Sequence, residues 1–155
     1  MFKRFSPIIL ASGLLVAAGA AKAQVEPVGQ AVIPPGSPYS AGVLANGTLY
    51  ISGLQGVDPS THKLPADFET EVKTCLDNIG GVLKDAHMGY SNVVSVQIFL
   101  TDISQFDQFN TIYKSYFKSP YPARITATAS QLAHGAHIEI GAVAVAASTR
   151  RSEAH

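Results

Sequence analysis

Residues 67–101, DFETEVKTCLDNIGGVLKDAHMGYSNVVSVQIFLT, place a helical pattern directly before a strand pattern. Apolar residues recur every three or four positions in the first part, which predicts a helix over 67–88 that Gly89 ends. Residues 93–101 are apolar and rich in β-branched side chains, which predicts a strand buried on both faces. The buried stripe of the helix consists of Phe68, Val72, Cys75, Leu76, Ile79, Val82, Leu83 and Ala86.

Upstream of this stretch, the pair Asn46-Gly47 separates two runs rich in strand-forming residues, 40–45 and 48–54. Such a pair between two runs of this kind is the strongest short-range signal of a β-hairpin. Before the hairpin, residues 24–37 are so rich in proline and glycine that we expect an extended arm without regular structure.

Downstream, a second helix is expected after a cap at Asp102 or Ser104, with an aromatic stripe that ends near Phe117. Two strands follow at 124–131 and 137–146, joined by a short turn. The order β-β-α-β-α-β-β predicts an α+β domain over residues 38–147, a mixed sheet with two helices packed on one face. A second subunit is expected to cover the other face, and residues 148–155 form a polar tail.

The first residues follow the order of a secretory signal peptide. Lys3 and Arg4 precede an uncharged run over 8–21, and Ala21-Lys22-Ala23 offers small residues at a cleavage site. The run is shorter than the roughly 20 residues that a membrane-spanning helix needs. We therefore expect residues 1–23 to be removed after Ala23 and the mature protein to be periplasmic or secreted.

Composition restricts the class of partner. Eleven basic side chains balance eleven acidic ones and the pI is about 7.0, whereas nucleic-acid-binding domains usually have a pI above about 9. The only cysteine, Cys75, cannot form an intramolecular disulfide and falls in the buried stripe, so we interpret it as a core residue. These features favour a small molecule as partner, with neither nucleic acid nor membrane bound after cleavage.

Alternation along the last two strands singles out Arg124 and Glu139. If Ile125 and the alternate residues after it face the helices, Arg124 and Thr126 face the helix-free side. Alternation along the last strand places Glu139 on the helix-free side as well. Such a pair fits a structural ion pair or a carboxylate-binding and proton-handling pair in a pocket. The two residues are offset by about 10–13 Å along the strands, so we expect a neighbouring subunit to complete the site.

Five short motifs extend from the hairpin entry to the last strand: Ser37-Pro38-Tyr39-Ser40, Leu49-Tyr50-Ile51-Ser52-Gly53, Phe106-Asp107-Gln108-Phe109-Asn110 with Tyr113 and Phe117, Pro122-Ala123-Arg124, and Ile138-Glu139-Ile140. Together they resemble the RidA (YjgF) family of enamine/imine deaminases over nearly the whole mature domain. The resemblance implies a chorismate-mutase-like fold, a homotrimer, and clefts between subunits that bind small 2-imino or 2-keto acids.

Matched motif by motif, the resemblance implies that Arg124, Glu139 and Tyr39 are catalytic. It implies that Ser52, Gly53, Asn110 and Thr126 bind substrate. Because free imines already hydrolyse in water, the reaction needs only modest acceleration, and we expect no cofactor and no metal. Two departures bear on substrate range. Ala41-Gly42 stand where many members have Gln, and Thr126 replaces a common Cys.

The chemistry follows from the residue types. A guanidinium holds a carboxylate with two parallel hydrogen bonds, which fits the carboxylate of a 2-imino acid. Glu139, assisted by Tyr39, can activate water and return a proton when the imine is hydrolysed.

His134 and His137 lack further ligands at metal-site spacing, so no metal site is expected. The alternatives are a non-catalytic binder of small carboxylates and, less favoured, a ribonuclease or translation inhibitor or a holdase chaperone.

Overall fold

The computed structural model describes residues 24–147. The expected signal peptide and the polar tail lie outside the described residues. The strands and helices are β1 (Val25–Val28), β2 (Gly42–Ala45), β3 (Thr48–Gln55), α1 (Phe68–Asp85), β4 (Val93–Leu100), α2 (Phe106–Tyr116), β5 (Ala123–Thr128) and β6 (Ile138–Val145). The strands form one six-stranded sheet in the order β1-β2-β3-β6-β4-β5, in which only the neighbours β4 and β5 run parallel. The predicted mixed sheet with two helices on one face is confirmed.

The predicted hairpin is also confirmed. Asn46 and Gly47 both have positive φ, 50° and 77°, as the two central residues of a type I′ turn require. The turn pairs β2 with β3 from Ala45↔Thr48 to Gly42↔Ile51.

Helix α1 begins where Asp67 accepts a hydrogen bond from the Thr70 N–H at 2.9 Å, as an N-cap does. The helix ends at Asp85, whereas the sequence analysis predicted that it continues to Met88 and is ended by Gly89. His87 instead adopts the left-handed conformation, with φ 56°. The His87 N–H donates to the Lys84 carbonyl and the Met88 N–H to the Leu83 carbonyl, which together form a Schellman motif.

The helices cover one face of the sheet and leave the other face open in the single chain. Val96, Ile98 and Leu100 of β4 are buried beneath the helices, whereas Gln97 and Phe99 point to the helix-free face. The prediction that this strand is buried on both faces is therefore wrong for the single chain. The helix-free face is nevertheless apolar, and its exposed side chains include Tyr50, Phe99, Ile125 and Val145.

The arm of residues 24–37 has more regular structure than its proline content predicted. Val25–Val28 pair with β2 as an edge strand, and a single 3-10 turn follows at Gln30–Val32. Pro27 is tolerated because an edge strand can leave one side of its backbone unpaired. Neither helix in residues 24–147 combines the length and the apolar character needed to cross a membrane.

Candidate active site

Arg124 lies on the helix side of the sheet, so the predicted orientation of Arg124 and Thr126 is wrong. In the parallel pairing of β5 with β4, Arg124 lies opposite Val96 and Thr126 opposite Ile98, and both partners belong to the core. Ile125, which was expected to face the helices, is 65% exposed on the other face. The rule that apolar residues face the core failed because β5 is an edge strand next to a helix-free face that is itself apolar.

The Arg124 side chain is oriented by α2. Its Nη1 donates to Asn110 Oδ1 at 2.8 Å, and its guanidinium carbon lies 5.0–5.7 Å from the ring centres of Phe106, Phe109 and Tyr113. A cleft of about 370 Å³ opens here and is also lined by Lys114, Tyr121 and Pro122. Because the Asn110 contact engages one of five guanidinium N–H groups, the others can bind a carboxylate from outside. We call this cleft the arginine cleft.

Two buried hydroxyls near Arg124 have no hydrogen-bond partner in the protein, those of Tyr113 and Thr126. Burial raises the pKa of Tyr113 to about 12, although the Arg124 charge opposes this shift, so the phenol stays protonated at neutral pH. Buried polar groups are rarely left unpaired, and these two favour a polar ligand in the arginine cleft.

Glu139 lies on the helix-free face, as predicted. On β6 it faces Gln55 of β3 and Phe99 of β4, and Gln55 Nε2 donates to its Oε2 at 3.1 Å. Gly53 lies where the β3–β6 register shifts, and any side chain there would collide with Glu139 Oε1. A glycine at this position lets the carboxylate lie directly against the strand backbone.

Tyr39 enters the same region from the segment before β2. Ser52 fixes this segment: its Oγ donates to the Ser40 carbonyl at 2.7 Å and its N–H to the Ala41 carbonyl at 2.9 Å. A cleft of about 340 Å³ is lined by Tyr39, Ser52, Gly53, Gln55, Ala133, His134 and Glu139. We call it the glutamate cleft.

The predicted site residues therefore fall into two groups. Arg124, Asn110 and Thr126 lie on the helix side, and Tyr39, Ser52, Gly53 and Glu139 lie at the glutamate cleft on the other face. Arg124 aligns with Val96 of β4 and Glu139 with Phe99, so they are three positions apart, about 10 Å along the strand. One chain cannot bring both groups to one small molecule.

Sequence reasoning missed two residues near the glutamate cleft. His134 lines the cleft from a turn where its φ is 58°, and it was considered only as a metal ligand. Glu71 is fully buried and accepts hydrogen bonds from the N–H groups of His137 and Ile138, at 2.7 and 3.2 Å. Its position four residues before Cys75 placed it on the buried face of α1, a signal that helical spacing offered. Glu71 Oε2 also lies 2.7 Å from His137 Nδ1.

Within the described residues, no three His, Cys, Asp or Glu side chains form a group suited to a metal ion.

The fold and the two clefts define a small α+β protein with an arginine-bearing cleft on one side of its sheet and a carboxylate-bearing cleft on the other. The family model described as "Endoribonuclease L-PSP" matches residues 29–146. The chain therefore belongs to the L-PSP endoribonuclease family, also called the RidA or YjgF family.

Individual relatives agree with this assignment. The chain is 45% identical over 109 residues to the 2-iminobutanoate/2-iminopropanoate deaminase of Homo sapiens, covering 70% of this chain and 80% of that protein. It is 42% identical over 118 residues to a RutC family protein of Aquifex aeolicus, covering 75% and 94%. Among solved structures, the Rid family protein YyfA from Yersinia pestis is similar with a TM-score of 0.74 and 35% identity, covering 79% of this chain and 99% of that one.

Proposed function

We propose that this chain is a hydrolase that converts 2-imino and 2-enamino acids to 2-keto acids and ammonia. The observation that carries the proposal is the Arg124 guanidinium, aimed by Asn110 and three aromatic rings into a cleft that the unpaired Tyr113 hydroxyl also lines. The naming of relatives at 43–45% identity as imine deaminases supports the same reaction. The family's description as an endoribonuclease finds no support in a chain whose eleven basic and eleven acidic residues cancel.

The chemistry needs three groups. Arg124 binds the substrate carboxylate through its planar fork and fixes the position of the C=N bond. Glu139 takes a proton from water as the water oxygen bonds to the imine carbon, while the nitrogen gains a proton from the Tyr39 hydroxyl, which lines the same cleft. Glu139 then returns its proton to Tyr39. Proton transfer from the new hydroxyl to nitrogen then breaks the C–N bond, which releases ammonia and leaves the keto acid.

The opposite placement of the two groups supports an active site shared between subunits. A two-fold dimer formed through the helix-free faces would bring Glu139 near Glu139 and leave Arg124 on the outer, helix side. A head-to-tail contact instead sets the arginine cleft of one copy against the glutamate cleft of the next. Repetition of that contact closes a ring, and a homotrimer is the ring that we propose.

Subunit mixing tests the shared site. Arg124→Ala and Glu139→Ala are each expected to be inactive, but a 1:1 mixture, dissociated and reassociated, should regain about a quarter of wild-type activity. One interface in each mixed trimer then pairs an intact Arg124 with an intact Glu139, and random mixing makes about three quarters of trimers mixed. No recovery despite exchange demonstrated by native mass spectrometry would show that each chain carries a complete site.

We also propose that the protein acts outside the cytoplasm, on the strength of the charge, apolar and small-residue order of residues 1–23. Mass spectrometry of the protein from its native host should find an N-terminus at Gln24. A full-length product in the cytoplasmic fraction would contradict export.

A further inference from the structure

A third cavity, of about 360 Å³, adjoins the glutamate cleft. One wall is the proline-rich turn of residues 32–38, and the other includes Leu54 and Val57. The cavity and the glutamate cleft have four lining residues in common: Tyr39, Gly53, Gln55 and His134. The two spaces are therefore adjacent, and the cavity lies beside any molecule bound at Glu139.

The cavity is apolar in character. Ile33 and Leu54 are buried at its floor, and among its described lining residues there is no Asp, Glu, Lys or Arg. Two of its polar side chains already have partners in the protein: Ser37 Oγ donates to the Pro34 carbonyl at 2.7 Å, and Gln55 donates to Glu139. What remains for a ligand is mainly hydrocarbon surface, with His134 and Tyr39 at the junction with the glutamate cleft.

The wall of the cavity is preformed. The Val32 N–H donates to the Gly29 carbonyl and the Ser37 N–H to the Pro34 carbonyl, at 3.1 and 3.2 Å, and three prolines restrict the turn further. Its volume lies in the range of about 300–1,000 Å³ that is usual for small-molecule sites. A methyl or ethyl group would leave most of such a space empty.

We propose that this cavity is the subsite for the substrate side chain, and that the chain prefers 2-imino acids with extended apolar side chains. The inference rests on the proposed deamination: once Arg124 of one subunit holds the carboxylate and Glu139 and Tyr39 face the imine carbon, the side chain is the substituent left to enter the cavity. The relatives' names refer to substrates with one- and two-carbon side chains. A pocket that buries extra methylenes discriminates by about 10-fold or more for each one.

The first test compares two substrates on the wild-type protein. Imino acids are generated from alanine and from leucine with an amino-acid oxidase, and keto-acid release is measured with and without the protein. We expect kcat/KM for the leucine-derived imine to be higher by about 10-fold or more. Calorimetry with the products, pyruvate and 4-methyl-2-oxopentanoate, should show the same preference in Kd. Equal or reversed preference in both measurements would overturn the subsite.

The second test fills the cavity. Val57→Phe should lower kcat/KM for the leucine-derived imine by about 10-fold and change that for the alanine-derived imine by less than about 2-fold. The control Ile103→Phe adds the same ring at a position that is 59% exposed and lines none of the three cavities discussed, and it should leave both values unchanged.

Other results separate the two proposals. If Val57→Phe slows both substrates equally, or changes the subunit number on gel filtration, the cavity is a structural or subunit contact and the subsite is wrong. If no imine is deaminated but calorimetry shows the keto-acid preference and Val57→Phe abolishes it, the deaminase proposal falls and the subsite stands.

Discussion

At the scale of single residues, Gly53 sets how closely Glu139 lies against β3. Gly53→Ala should push the carboxylate away, because the added Cβ would occupy the space of Glu139 Oε1. A displacement of about 1 Å at a reacting group can cost about 100-fold in rate, so we expect kcat to fall by about that factor while the midpoint of thermal unfolding moves little.

The matched control for this variant is Gly89→Ala. Gly89 has extended backbone and open space around the position of a Cβ, so full activity is expected. Wild-type kcat in Gly53→Ala would mean that the position of Glu139 does not matter for the reaction.

Arg124 should be irreplaceable even by lysine. Arg124→Lys keeps the charge but loses both the planar fork and the hydrogen bond to Asn110, so deamination should fall by about 100-fold or more. Exposed cation–π contacts are worth about 0.5–1 kcal/mol each, so Arg124→Ala, which loses three of them, should lower the free energy of unfolding by no more than about 3 kcal/mol. Lys118→Ala, an exposed cation outside the three cavities, serves as the control in both assays. An unfolded Arg124→Ala protein would make Arg124 a structural residue.

The identities of the candidate residues could be read from the sequence, but one orientation could not. Glu139 was assigned to the correct face because the apolar residues that alternate with it from Ile138 to Ala144 are buried in the core. Arg124 was assigned to the wrong face because Ile125, its apolar neighbour, lies on an uncovered apolar surface. Alternation gives two faces, and only the tertiary structure determines which of them the helices cover.

At the scale of elements, Glu71 joins α1 to the start of β6, the strand that carries Glu139. Glu71→Ala removes the acceptor of two backbone N–H groups, those of His137 and Ile138, and each buried donor left unpaired costs about 1–3 kcal/mol. Urea unfolding should show a loss of about 2–5 kcal/mol. Glu69→Ala, which removes an exposed carboxylate from the same helix, should cost less than about 1 kcal/mol. A similar small loss in both variants would contradict the role assigned to Glu71.

Partly and fully buried acidic groups on α1 and α2 also predict how stability depends on pH. Burial raises the pKa of the Cys75 thiol far above its usual range, and the nearby Glu71 carboxylate adds to the shift. Burial likewise raises the pKa of Tyr113 and of Tyr116 to about 12. All three groups lose their protons at lower pH in the unfolded chain. Their contribution to stability is therefore complete below about pH 8.5 and decreases as the pH rises further.

Urea unfolding between pH 7 and 10.5 measures this decrease directly. In Cys75→Ala, the loss of stability that begins near pH 8.5 should be absent, while the loss at higher pH that is due to the tyrosines should remain. A stability that stays constant over this range would show that the thiol is equally acidic in the folded and unfolded chain.

Elements that are determined by residues close to one another in the sequence were predicted well. The hairpin follows from the pair Asn46-Gly47, and α1 from its own spacing and its cap at Asp67. The ends of elements and the pairing of distant strands were predicted less well. His87, a non-glycine residue, took the left-handed position after α1 that Gly89 was expected to fill, and strand β1 formed in a segment rich in proline. Pairing with β2 gave residues 25–28 a conformation that their local preference did not specify.

At the scale of the whole molecule, the helix-free face exposes several large apolar side chains. Tyr50, Phe99 and Ile125 are 54, 37 and 65% exposed there. If this face is buried in the proposed homotrimer, Ile125→Asp should prevent assembly, because a charge buried at a subunit contact without a partner is strongly unfavourable. Light scattering should then give the mass of a monomer, and deamination should be lost. Ile103→Asp, an equally apolar residue on a 3-10 turn beside α2, should remain a trimer.

The separation of Arg124 from Glu139 has a consequence for mixed populations of subunits. In the proposed homotrimer, a copy that lacks both groups disables the two sites to which it contributes and leaves one site intact. The defect is then dominant: co-expressed in equal amount with the normal protein, such a copy should reduce the working sites to about a quarter, whereas independent subunits would retain half.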